Sequence, residues 1–142
     1  MTIAAILSGK GQDVVTIDGD RTVEQAVTLL AERRIGAVPV LEDGQVAGIF
    51  SERDVIYCLA RDGASALDRP VRDVMTMPAI TVTRSESVFA ALALMTRRRI
   101  RHLPVVEDGR LVGLVSIGDL VKYRIERIEN EANAMREYIQ RV

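Results

Sequence analysis

Tryptophan is absent from the chain, and aromatic residues make up only 4% of it. Any core must therefore be aliphatic, and a composition that is 48% apolar is enough to fill one. The single cysteine, Cys58, excludes a disulfide within the chain and a thiolate metal cluster. It lies in VIYCLA, an apolar helical context, and reads as a small core residue. The single histidine, His102, excludes a His-based metal pair. No apolar run reaches the ~20 residues that span a bilayer. The opening MTIAAILSGKG is short and has no basic start, so no secretory signal is read there and a cytosolic protein is expected. The net charge of −1 supplies no pull toward nucleic acid or an anionic membrane. Neither a G-x-G-x-x-G nor a Walker loop occurs, and no nucleophile–base or paired-carboxylate set stands out. Catalysis is not expected.

What the chain does contain is a repeat. Shifted by 65, Thr16–Asp54 falls on Thr81–Asp119 without a gap and with 15 identities in 39 positions. About a third of the mismatches exchange one aliphatic residue for another, as Val27 for Leu92. Two copies of one structural unit follow. Within them GIFSERD (Gly48–Asp54) and GLVSIGD (Gly113–Asp119) share the pattern G-x-x-S-x-x-D.

Each copy has the same local grammar. VVTID (Val14–Asp18) and AITVT (Ala79–Thr83) are β-branched runs and predict strands. Thr22 and Ser87 are N-cap candidates ahead of helices. In these, Val23, Ala26, Val27, Leu30 and Val88, Ala91, Leu92, Met95 follow the i, i+3, i+4, i+7 stripe. AVPVL and HLPVV predict strands, Asp43-Gly44 and Asp108-Gly109 predict hairpin turns, and QVAGIF and RLVGLV return as strands. Helices open at the two S-x-x-D segments. The fold class is α+β, with two β-α-β-β-α repeats. Expected bounds are 1–62 for the first repeat, 63–78 for a linker and lead-in, 79–122 for the second repeat and 123–142 for a helical extension. VRDVM (Val71–Met75) in the linker echoes IAAIL (Ile3–Leu7) at a shift of 68. A unit of about 60 residues buries little surface alone, so the repeats should share an interface.

Taken by themselves, Ser51 and Ser116 read as helix N-caps, each with an acid three residues on, nearly a capping box. The same geometry also suits a ligand. A helix N-terminus attracts phosphate, a hydroxyl can donate to it, and a carboxylate can accept from two vicinal sugar hydroxyls at once.

RIGAVPV and RIRHLPV, the paired EDG turns, VMT before the second copy and the two G-x-x-S-x-x-D segments resemble a tandem pair of cystathionine-β-synthase (CBS) domains, a Bateman module, over roughly Ile3 to Lys122. That resemblance implies two pseudo-symmetric repeats packed sheet to sheet and a regulatory module without catalytic activity. It implies an adenosine-containing ligand (AMP, ATP, NAD or similar), with no catalytic cofactor, bound in clefts between the repeats. Ribose binding maps onto Asp54 and Asp119, and phosphate or ribose contact onto Ser51 and Ser116. One cleft would join Ser116 and Asp119 to Val14, Val15 and Thr16, to the backbone of Ile35, Gly36 and Ala37, and to Arg101 and His102. The other would join Ser51, Arg53 and Asp54 to Ala79, Ile80 and Thr81, to Ile100–His102, and to the backbone of Gly36 and Ala37. Arg101 and His102 replace Gly36 and Ala37 of the first copy, so the Ser116/Asp119 cleft is expected to bind more tightly. His102 reads equally as a ligand contact and as a partly buried structural histidine, and Arg101 as a phosphate contact or a solvated arginine. Two other functions stay open. One is a structural interaction module with empty clefts, and the other a nucleotide hydrolase.

Arg33, Arg34 and Arg97–Arg99 end the first helix of each copy, where cations meet the negative end of the helix dipole. Near the C-terminus, Val121, Ile125, Ile128, Ala132, Met135, Ile139 and Val142 are spaced alternately four and three apart, a heptad seam. A helix from about Gly118 onward would run roughly 35 Å. The seam either folds back over its own domain or meets a second copy, and a homodimer is expected. An effector protein, unidentified by the sequence, would receive the output.

Overall fold

The computed structural model describes residues 1–11 and 13–141. The first half holds β1 (Ile17–Asp18), α2 (Val23–Arg33), β2 (Ala37–Glu42), β3 (Gln45–Ser51) and α3 (Glu52–Asp62), preceded by α1 (Ile3–Lys10). The second half holds α4 (Val88–Arg98), β4 (His102–Glu107), β5 (Arg110–Ser116) and α5 (Ile117–Arg141). 3₁₀ segments at Gly63–Asp68 and Val71–Asp73 join the halves.

The hairpins form as the Asp-Gly pairs require. Asp43 (φ 53°) and Gly44 (φ 78°), like Asp108 (φ 50°) and Gly109 (φ 76°), take the two positive φ values of a type I′ turn. β2–β3 and β4–β5 are antiparallel and slip register at matching places, Val40/Leu41 and Val105/Val106. β3 packs against β5, which sets the two sheets against one another. Thr22 forms a complete capping box with Gln25, and Ser87 accepts from the Ala90 amide. Arg34 and Arg99 close α2 and α4 in the left-handed conformation, and Ile35 N and Ile100 N donate back to Leu30 O and Met95 O.

The expected strands Val14–Asp18 and Ala79–Thr83 are much shorter than the β-branched runs suggest. Only Ile17–Asp18 pairs with β2, and only Val82 bridges β4. The reason is proline. Val82 N donates to Pro104 O and Val82 O accepts from Val106 N, so the next rung would require an N–H at Pro104. Pro39 blocks the first copy in the same way, and Val14–Thr16 and Ala79–Thr81 lie outside the strands.

Each half has its own aliphatic core, and the lead-in segments are exchanged between them. Ile3, Ile6 and Leu7 of α1 pack with Val88, Met95, Leu103 and Val115 of the second half. Val71, Val74 and Met75 pack with Val23, Val40 and Phe50 of the first. This exchange accounts for the repeated glycines. A Cβ at Gly48 would meet Thr76 O at 2.6 Å, and one at Gly113 would meet Leu7 Cδ2 at 2.5 Å. Each glycine leaves room for the lead-in that crosses its hairpin.

α5 begins on the second core, where Leu120 is fully buried and Tyr123 packs. From Arg124 to Arg141 every residue is exposed. Val142, the last residue of the heptad seam, lies outside the described residues.

Candidate functional site

A cleft of about 760 Å³ opens between the halves. It is lined by the start of α3 with Ser51, Glu52, Arg53 and Asp54, by the lead-in with Thr76, Pro78, Ala79 and Ile80, and by Arg98–His102 at the α4–β4 junction. Such a volume suits a nucleotide-sized molecule. The site is local in origin: β3 ends at Ser51 and the chain turns into α3, whose first residues Glu52, Arg53 and Asp54 line the cleft.

Asp54 is the one buried charged residue among those described, with 8% of its surface exposed. Its Oδ2 accepts from Ser51 N at 2.9 Å and from Ser51 Oγ at 3.2 Å, and its Oδ1 accepts from Thr76 Oγ1 at 2.8 Å. Ser51 and Asp54 thus complete a capping box although the acid is Asp rather than Glu. The carboxylate has about four acceptor positions, so these three donors leave room for another.

Asp119 occupies the matching place in the second copy in different company. Its Oδ2 accepts from Ser116 N at 2.8 Å and from Lys10 Nζ at 2.6 Å. Lys10 also donates to Leu114 O at 2.7 Å. Burial pushes the Asp119 carboxyl up, but the Lys10 and Ser116 hydrogen bonds outweigh it and hold the group below the usual carboxylate range.

His102 stands between the two places. A Cβ at Gly36 would lie 3.5 Å from its Cε1 and 3.6 Å from Glu52 Oε1. Burial and the positive charges of Lys10 and Arg101 lower its pKa, against the pull of Asp119 and Glu52. With its pKa lowered, the ring is uncharged at neutral pH.

Of the residues expected from sequence, Gly36, Ser51, Arg53, Asp54, Ala79, Ile80, Ile100, Arg101 and His102 meet in the one cleft. Arg53 is turned to another use: its Nη1 donates to Arg99 O at 3.2 Å, tying α3 to the end of α4. Val15 and Ile35 pack on the first core, and Ala37 is buried opposite Ser51. Val14 and Thr16 are half-buried, and Thr81 is exposed outside the lining. Ile49, Glu52, Ile56, Tyr57, Thr76, Pro78, Arg98 and Arg99 line the cleft without having been singled out as site residues. Thr76 had a signal, the VMT that precedes the second copy. A shallower hollow of about 400 Å³ lies along α5 between Tyr123 and Ala134, away from both Ser–Asp pairs. Among the described residues no group of His, Cys, Asp and Glu could hold a metal ion. No helix there is long and apolar enough to cross a membrane.

The family model of the CBS domain matches twice, at residues 11–61 and 71–126. The chain belongs to the CBS-domain family. Its CBS pair is 36% identical to the mitochondrial CBS domain-containing protein CBSX3 of Arabidopsis thaliana, over 98% of this chain and 72% of that protein. The solved CBS-domain containing protein ATU1752 from Agrobacterium tumefaciens superposes with a TM-score of 0.83 at 40% identity, covering 87% of this chain and 92% of that one. The CBS domain pair of protein MJ0100, solved in complex with 5′-methylthioadenosine and S-adenosyl-L-methionine, shares the fold with a TM-score of 0.79 at 23% identity, covering 89% of this chain and 98% of that one.

Proposed function

We propose that this CBS pair is a non-catalytic regulatory module that binds an adenosine-containing ligand, such as AMP, ATP or NAD, at Ser51 and Asp54. One observation carries the proposal: the only buried charged residue among those described, Asp54, lines a nucleotide-sized cleft beside a helix N-terminus. Asp54 takes the ribose diol, and Thr76 Oγ1 donates to its Oδ1 as a sugar hydroxyl would. The α3 N-terminus, Ser51, Arg98 and Arg101 take phosphate. Ala79, Ile80 and Ile100 supply apolar surface and backbone groups for the base. That a pair of the same fold was solved with two adenosyl compounds supports the ligand class.

The Ser116/Asp119 cleft, expected from Arg101 and His102 to bind more tightly, takes second place in this proposal because Lys10 Nζ already pairs with Asp119 Oδ2 and a ligand there would have to share or displace it. Ligand in the first cleft touches both halves, so it selects one relative pose of them. An effector protein reads that pose.

A second reading is a structural interaction module. It is favoured by the Ser–Asp pairs, which satisfy their helix ends without any ligand. Thermal shift with AMP, ADP, ATP, NAD and S-adenosylmethionine separates the two. Ligand at a hundred times its Kd stabilises by about 2.7 kcal/mol and raises Tm by several degrees. No shift with any of the five supports the interaction module.

A further inference from the structure

The last five turns of α5 carry an apolar face that the chain itself leaves uncovered. Val121, Ile125, Ile128, Met135 and Ile139 are 42%, 50%, 49%, 59% and 65% exposed. α5 meets its own core with Leu120 and Tyr123, which lie about 100° and 160° round the helix from the centre of that seam at 100° per residue. The seam therefore faces away from the core that Leu120 and Tyr123 anchor.

Charge identifies the occupant. With Ile125, Ala132 and Ile139 at heptad position a and Val121, Ile128 and Met135 at d, Lys122, Glu129 and Arg136 fall at e, and Arg124, Glu131 and Tyr138 at g. In a parallel pair each g residue meets the e residue five positions on in the other helix. Arg124 then faces the partner's Glu129, and Glu131 faces the partner's Arg136. An antiparallel pair centred on Asn130, which also keeps the seam covered, brings Glu129 to the partner's Glu129, Glu131 to the partner's Glu131 and Lys122 to the partner's Arg136. All three contacts are repulsive.

We infer that two copies of the chain join through α5 as a parallel, in-register coiled coil, which puts both CBS pairs at the same end of the assembly. The inference does not depend on the ligand reading.

Sedimentation of the full chain at micromolar concentration is expected to give a dimer that Ile128→Asn dissociates. In a Cys58→Ser background, Ile128→Cys places the two thiols face to face at d, and mild oxidation links the copies. Asn130→Cys, on the outer face, does not link. Glu129→Arg weakens the dimer several-fold, and adding Arg124→Glu restores it. Circular dichroism checks that each variant keeps its helix. A monomeric wild type, a dimer indifferent to Ile128→Asn, linking at Asn130→Cys rather than Ile128→Cys, or a charge swap that restores nothing would overturn the inference.

Discussion

Lys10 Nζ lies 2.6 Å from Asp119 Oδ2, so a residue of the N-terminal helix closes on a carboxylate 109 positions away. The Asp54 carboxylate, its counterpart in the first copy, meets only the Ser51 and Thr76 donors. Two copies of one motif are thereby made unequal by the segment that crosses each hairpin.

Lys10→Gln is expected to free Asp119 for a sugar diol. Calorimetry should then report a second binding event, or about a tenfold gain at that cleft, equivalent to ~1.4 kcal/mol. The cost in stability is small, at most about 1 kcal/mol, because the pair is partly solvated. By NMR, the Asp119 carboxyl should titrate higher in the variant, since its strongest stabilising contact is gone.

The lowered pKa of His102 sets a pH dependence. Unfolded, the imidazole titrates at its ordinary 6.5, and folded it titrates lower. Between those values the unfolded chain holds more protons, so stability is full above pH 6.5 and is lost as pH falls through the window. Urea midpoints from pH 7.5 to 5 should decline, and His102→Gln should flatten the decline. A midpoint that rises on acidification would refute the burial argument.

Gly48→Ala should destabilise by about 1–3 kcal/mol, because the atom it meets, Thr76 O, is held by the Ile49 amide and cannot swing aside. Gly113→Ala should cost less, since the obstacle is the tip of the Leu7 side chain. Equal costs in urea denaturation would contradict the crossing of the lead-in at Gly48.

Much of this was legible in the residues. The 65-residue shift fixes the hairpins at their Asp-Gly turns, and Thr22, Ser87, Ser51 and Ser116 mark helix starts. The cleft lining at Ser51, Asp54, Ala79, Ile80 and Ile100–His102 is what the resemblance to a CBS pair implies, not something the repeat shows by itself. Strand length was not legible from β-branching, because Pro39 and Pro104 act from the neighbouring strand. Nor was the exchange of lead-ins. The echo of IAAIL in VRDVM shows two like segments but not which core each joins. Lys10 has no motif around it, and its partner is fixed only by the path of α1 across β5. The bond from Arg53 to Arg99 O was not legible either, because a backbone carbonyl has no letter of its own.

The central claim is tested most directly by isothermal titration of the wild-type chain and of Asp54→Asn with AMP, ATP and NAD. At least one ligand should saturate the wild type, with affinity falling ten- to a hundredfold in Asp54→Asn, as expected when a hydrogen-bonded charge worth about 1.5–3 kcal/mol is removed. Binding that is the same in both proteins would contradict the assignment of the sugar to Asp54.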